Sequence, residues 1–441
     1  MSSQLSQLVS LIANATKLVE DTFAETVKPN VPSLDDTTPH PLDSQVLSLE
    51  MREAIQTIEG ACTQLCALVA RPNRIMLNIF EPACIRVVVD FQIADHLVDK
   101  PEGVHVSELG ALSGAEPGKL GRIMRLLASK HCFREVDRDV FANNRLSMML
   151  LSTNDLSSMA DHLTDVSNKA LSMLSETLRD PHWGHSSSPL HAPFNYWSKH
   201  PGTLFSWYQS VRADKGKRFV LAMKGWGDSI EMWATVNTFP WGSLCDGATV
   251  CDVGGGTGVA SMQLADAHPN LHIVLQDVPA LIEMAKNEIW PKSCPAAVKD
   301  GRVEFKAIDF FVESPVKGCD IYFVSTSHNW PDNECRTILK GVGDAMSTNS
   351  RLLIFDYTIQ LANGNEDSPQ WLGLNPAPEP LLSNYGAGHM TQYNVDLAMM
   401  CLFNSQQRSL DHFVKLGKEA GLRFVRVWDT REASIVEFCL E

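Results

Sequence analysis

The chain has 441 residues, 44% of them hydrophobic and 20% charged, enough for more than one globular domain with a sizeable core. A net charge of −15 argues against a nucleic-acid surface, and no apolar run reaches the roughly eighteen residues of a membrane span. Eleven cysteines lack C-x-x-C spacing and the N-terminus lacks a basic stretch leading into an apolar core, so reduced thiols in a cytoplasmic protein are expected.

Residues 3–28 carry helical periodicity, with Leu5, Leu8, Val9, Ile12 and Ala15 on one face. Pro29, Pro32, Pro39 and Pro41 then mark an extended linker lying over a neighbouring surface. The helical pattern resumes at Ser44 and runs to about Ala70, with Cys62 and Cys66 sharing a face. Residues 82–150 read as a winged helix. Its helices are Cys84–Leu97, a short 106–114 capped by Ser107, and Glu116–His131; two short strands follow about Asp137-Arg138-Asp139. Lys119, Arg122, Arg125 and Lys130 on the third helix would suit DNA. The acidic whole speaks against that, and a dimerisation role is preferred. Residues 156–178 predict one amphipathic helix, and 186–200 a loop. Tyr196, Trp197, Phe205, Trp207 and Tyr208 are either core or the lining of a pocket for a flat apolar ligand.

From Val250 strands and helices alternate regularly, with strands expected at 249–253, 271–276, 303–307, 319–325, 351–357, 422–428 and 434–440. That is a doubly wound, mostly parallel α/β sheet. The loop 429–433 is too short for a crossover, so the last two strands should be an antiparallel pair at one edge. The expected domains are 1–45 (helix and Pro-rich linker), 46–180 (helical, winged-helix, dimerising) and 181–441 (the sheet, with a ligand site).

The sheet begins with VCDVGGGTG, Val250 to Gly258, a strand running into a glycine turn and a helix start. A dinucleotide turn needs G-x-G-x-x-G/A, and neither Val259 nor Ser261 completes it. A P-loop needs a Lys after the last glycine, and none follows Gly258. D-x-G-x-G-x-G remains, from Asp252 through Gly254 and Gly256; it resembles the turn of class I S-adenosylmethionine (SAM) methyltransferases, the alternative being a structural loop. Asp277 ends the next strand about twenty residues on, where one carboxylate can accept from both ribose hydroxyls of a nucleoside. Asp309 and Phe310 follow the third strand and could face an adenine amine and ring; alone, Asp309 reads as a turn residue. His328 follows the fourth strand and Asp356 ends the fifth. An imidazole there is a natural base for a phenol, and a carboxylate beside it would fix its tautomer.

The series VCDVGGGTG, LQDVP, DFF, SHNWPD and FDY resembles, in order and spacing, the plant and fungal caffeate-type O-methyltransferases. Glu108 to Val136 resembles the winged-helix dimerisation domain of that family, and PHPLDS at 39–44 is similar to its fungal, basidiomycete-type members. The resemblance runs from about residue 40 to the C-terminus. It implies a homodimeric, metal-independent SAM-dependent O-methyltransferase acting on a small aromatic hydroxyl, with no nucleic-acid or membrane partner. It implies SAM contacts from Asp252, Gly254, Gly256, Asp277, Asp309, Phe310 and Trp330, and His328 as general base flanked by Asp356. It places Asn329, Met399, Met400, Phe403 and Gln407 on the acceptor side. Three departures stand out: Asn329 replaces the family's Asp, Gln407-Arg408-Ser409 replaces Glu-Arg-Thr, and Ser325-Thr326 lack its Lys or Arg. The first two leave a second reading open, a catalytically silent dimeric SAM-binding regulator.

Overall fold

A computed structural model describes residues 3–45, 47–70, 81–230, 232–360, 362, 377–430 and 433–441. The chain forms two compact units: Met1–Ser172 with Phe205–Ser229 and Ala377–His389, and Met173–Leu204 with Ile230–Pro376 and Met390–Glu441.

In the first unit, helix Gln4–Ala24 packs along helix Leu49–Val69. Leu8 joins Ala61 and Leu381 in a small core, but Leu5 and Val9 are 42% and 53% exposed, so the buried face is narrower than the apolar pattern. The Pro-rich stretch follows the surface as expected: Leu34 accepts from the Arg145 N–H, and Asp43 pairs with Arg145. Strands β1 (Val104–His105), β2 (Arg134–Asp137) and β3 (Val140–Ala142) pair antiparallel in the order β1-β3-β2. With helices Glu81–Asp90, Val106–Ser113 and Pro117–Ser129 they enclose Leu109, Leu120, Met124, Leu127, Phe133 and Phe141. The expected Ser107 cap is instead His105, whose Nδ1 accepts from the Ser107 N–H and also meets its hydroxyl. Arg125 reaches back to Glu135 and Asp139, so part of the third helix's charge is spent internally.

The single helix expected over 156–178 is broken. It runs as Asp155–His162, a π turn Leu163–Ser167, and Asn168–Leu171, with Leu174–Arg179 separate. A π turn adds a residue to the helical cycle and turns the face that follows. Asp161 and Asp165 both pair with Lys215.

In the second unit, the expected loop 186–200 contains helix Pro193–Ser198, opened by a proline whose missing N–H is not needed there. The main sheet comprises β4 (Ala248–Val253), β5 (Leu271–Asp277), β6 (Val303–Ala307), β7 (Ile321–Val324), β8 (Arg351–Asp356), β9 (Leu422–Asp429) and β10 (Ser434–Leu440). Their order is β6-β5-β4-β7-β8-β10-β9, parallel except for β10, which runs against both β8 and β9. This is the mostly parallel sheet with an antiparallel C-terminal pair that the sequence resemblance implies. Its central strands are apolar on both faces because helices cover them; Cys251, Val253, Tyr322, Val324, Leu352, Ile354 and Phe438 pack with Leu339, Val342, Phe413 and Leu416. The winding reverses between β4 and β7, so both strands open at their carboxyl ends into one crevice, the place where such sheets take ligands.

Candidate active site

Asp252 stands in β4 opposite Phe323 of β7. The chain then turns through Gly254 and Gly256, both at positive φ (72° and 62°), into helix Val259–Ala267. Gly254 is required twice over. A side chain there would be strained, and its Cβ would lie 3.0 Å from both Phe310 Cε1 and Thr326 Oγ1. The same distances show that the glycine turn, Phe310 and the residues leading to His328 are neighbours. A Cβ at Gly256 would meet no described atom within 4 Å.

Asp252 is buried. Its Oδ2 accepts from the Ser261 hydroxyl at 2.6 Å, while Oδ1 has no partner among the described residues. Burial pushes its carboxyl up to about 7, with Ser261 opposing and the Asp277 charge adding to the rise. Asp277 accepts from the Gly256 N–H and the Val278 N–H, each at 2.7 Å, and burial raises it too. Asp309 lies two residues beyond β6, is exposed, and accepts from the Phe311 N–H at 3.0 Å. Phe310 and Phe311 meet the Trp330 ring edge-on, with centroids 6.1 and 4.7 Å away.

β7 ends in the short 3-10 turn Ser327–Asn329. It carries His328 beside Asp356, the last residue of β8. His328 Nδ1 donates to Asp356 Oδ1 at 3.0 Å. Asp356 is buried and fully engaged: Oδ2 accepts from the Ser327 hydroxyl at 2.7 Å, and Oδ1 also accepts from the Tyr357 N–H at 2.9 Å. This carboxylate can only accept, so the proton sits on Nδ1 and the lone pair of His328 is on Nε2. His328 keeps 22% of its side chain exposed. Helix Thr391–Phe403 packs against the His328 turn and against helix Pro193–Ser198; Phe403 is buried there, Met399 and Met400 half-buried.

Residues 200–375 match the family model of an O-methyltransferase domain, and residues 73–153 that of an O-methyltransferase dimerisation domain. The 3-O-methyltransferase 2 of Phanerochaete chrysosporium is 36% identical over 442 residues, covering 99% of this chain and 97% of that protein. The chain belongs to the SAM-dependent O-methyltransferase family. A second fungal relative, an O-methyltransferase of Armillaria gallica, is 33% identical, covering 98% of this chain and 96% of its own. Two solved structures share the methyltransferase's fold. OxaC aligns with a TM-score of 0.72 at 21% identity over 99% of both chains, and LepI, solved in complex with SAM, with 0.70 at 18% over 98% and 100%.

Four supports of the methyltransferase site escaped the sequence reading. Ser261 holds Asp252, and Ser327 holds Asp356. Trp290, fully buried, donates to the Thr257 carbonyl at 3.0 Å and fills the space under Gly258. Arg408 reaches the Ser327 and Trp330 carbonyls and the Asp332 carboxylate. Ser261 had a signal, nine residues past Asp252 and within the first helical turn. The other contacts had none. Gln407 is buried, and neither atom of its side-chain amide has a partner among the described residues, although its backbone N–H donates to Asp396 at 2.7 Å. Asn329 is half-buried on the His328 turn.

Proposed function

We propose that this O-methyltransferase methylates a hydroxyl of a small aromatic acceptor, with His328 as general base and no metal ion. The observation that carries this reading is the 3.0 Å bond from His328 Nδ1 to Asp356, which leaves Nε2 as the free base at the crevice. The residues of the glycine turn fit SAM. Among the described residues, Asp252 keeps one buried oxygen without a partner, which suits a cationic amino acid group, and a Cβ at Gly256 would meet no atom within 4 Å. Asp252, Gly254, Gly256 and Asp277 would hold its amino acid and ribose parts; Asp309, Phe310 and Trp330 would border its adenine. When bound, SAM supplies a methyl group on a good leaving group.

The chain's own residues then do two things. Positioning aligns the acceptor oxygen, and an apolar lining from Met399, Met400 and Phe403 suits a flat ring. His328 Nε2 takes the phenolic proton, and Asp356 stabilises the imidazolium that forms. Base catalysis of this kind is worth about 10²–10⁴-fold. Asn329 and Gln407 stand on the acceptor side as polar groups without charge. His328 held by Asp356 weighs against a silent SAM-binding regulator.

Two further assignments belong to the same reading. The match to a dimerisation domain supports a homodimer, with the 46–180 segment as its dimerising part. All eleven cysteines are free thiols, which suits a reducing, cytoplasmic setting; no described helix is long and apolar enough to cross a membrane. The test is mass spectrometry of a pool of simple phenols incubated with SAM, with and without EDTA. A gain of one methylene unit in both arms is expected. Loss of product with EDTA would overturn metal independence, and a gain only on amines or carboxylates would overturn the acceptor class.

A further inference from the structure

The His328 turn is gripped in two ways. Asp356 holds the imidazole. The backbone has a separate support, from Arg408 beside the Cys335 thiol, whose Sγ lies 3.1 and 3.2 Å from the Ser327 and Trp330 carbonyls. The Arg408 side chain is 0% exposed. Its Nη1 donates to the Ser327 carbonyl at 3.0 Å and its Nη2 to the Trp330 carbonyl at 2.8 Å. These are the two carbonyls that bracket His328 and Asn329. Nε and Nη2 also donate to Asp332 Oδ1, at 3.1 and 2.9 Å. The other oxygen of Asp332 meets His412 Nε2 at 2.9 Å. Burial would raise the Asp332 carboxyl, but the hydrogen bonds and charges of Arg408 and His412 hold it below its ordinary value.

The main chain of Arg408 is fixed as well. It bridges to Thr358 in parallel register, and its carbonyl accepts from the Ile359 N–H at 3.0 Å. Thr358 lies two residues past Asp356. Arg408 therefore ties together, in one residue, the extension of the strand that carries Asp356 and the turn that carries His328. The turn needs such help. Its own bonds, Asn329 N–H to Thr326 at 3.1 Å and Trp330 N–H to Ser327 at 3.2 Å, are those of a short 3-10 segment, whose geometry is poor. A planar guanidinium aims its donors in fixed directions, so one carbonyl cannot move without disturbing the other contacts. An ammonium group cannot reproduce that fork.

We propose that Arg408, with Asp332 as its counter-ion, is a positioning residue that sets the His328–Asp356 distance and so keeps the lone pair on Nε2. The catalytic consequence rests on the reading of His328 as base; the structural consequence does not. Both are separable by experiment. Full-length protein carrying ¹³C/¹⁵N-labelled histidine, saturated with S-adenosylhomocysteine, is compared by NMR with Arg408→Lys; the His328 signal is assigned from its absence in His328→Ala. The same proteins are assayed with whichever phenol of the pool gains a methyl group.

The parent should show one imidazole tautomer, protonated at Nδ1. Arg408→Lys should show mixed tautomers, kcat lower by ~10–100-fold, and an acid limb of kcat/KM displaced by at least ~0.5 pH unit, with KM for SAM within about twofold. Guanidinium added to Arg408→Gly should restore part of the rate. Parent-like His328 signals in a folded Arg408→Lys protein would overturn the proposal, as would a loss confined to KM for SAM. If the signals change but His328→Ala keeps full activity, positioning stands and the base reading falls. If Arg408→Lys does not fold, Asp332→Asn, which frees the guanidinium without removing it, decides by the same readouts.

Discussion

The two compact units each hold a histidine among charged neighbours, and the two are built for opposite ends. In the first unit, His162 is buried, its Nδ1 3.0 Å from the Tyr208 hydroxyl and its ring edge-on to Phe219. Around it Asp161 pairs with Arg86, Lys215 and Arg218, and Asp165 with Lys169 and Lys215. Each of those carboxylates is engaged by cations, and among the described contacts the imidazole meets the Tyr208 hydroxyl instead. Burial, with the Lys215 charge adding to it and Asp165 opposing, drives His162 down to about 4, so it stays neutral at physiological pH. In the second unit, His328 has a carboxylate behind Nδ1 and solvent access at its edge. A buried histidine without its own carboxylate is part of a packed core. One held by a carboxylate at Nδ1 and partly exposed has the arrangement that the proposed base role needs.

The sharpest way to break this contrast is Asp356→Asn. An amide can leave the proton on the wrong nitrogen, so kcat should fall by about 10²–10⁴-fold while SAM affinity by calorimetry stays put. His162→Gln should do the reverse: near-parent kcat, with stability lower by ~1–3 kcal/mol in urea unfolding. The pH dependence separates the two further. His162 has a folded value below its unfolded one. Its contribution to stability is complete above about 6.5 and is lost as pH falls towards 4, a loss His162→Gln should flatten in melting curves.

Asp252 has the opposite sign. Its folded value is raised to about 7, so its contribution to the ligand-free protein is complete below about 4 and is lost as pH rises through 7. A cation bound there favours the ionised form. SAM affinity should strengthen as pH rises through 7, with a proton released, and Asp252→Asn should remove that release in calorimetry across buffers of different ionisation enthalpy. The smallest effect is expected at Gln407. Its amide is buried and has no partner among the described residues, so Gln407→Met should change stability by no more than ~1 kcal/mol, and its cost should appear in KM for the acceptor.

The sheet was legible because its strands are short apolar runs closed by turns. The fourth, expected at 319–325 and observed at Ile321–Val324, erred only at its ends. The antiparallel ending followed from a loop too short to cross over. Within the site, the sequence placed His328 and Asp356 at adjacent strand ends, and pairing of β7 with β8 brought them together. What stayed hidden depends on contacts between distant segments. Arg408 meets a carbonyl 81 residues away, and no spacing announces that. The π turn at 163–167 was equally invisible, because one extra residue in the cycle barely alters an apolar stripe.

The most direct measurement compares the parent and His328→Ala on the phenol pool, by mass spectrometry and then by the pH dependence of kcat/KM on the phenol that reacts. The expected result is a methylated phenol in the parent, a rate lower by about 10²–10⁴-fold in His328→Ala, and an acid limb present only in the parent. SAM binding should be equal in both. A methylated product formed at the parent rate by His328→Ala, with the acid limb retained, would contradict the assignment of His328 as the base and leave positioning alone as the source of rate.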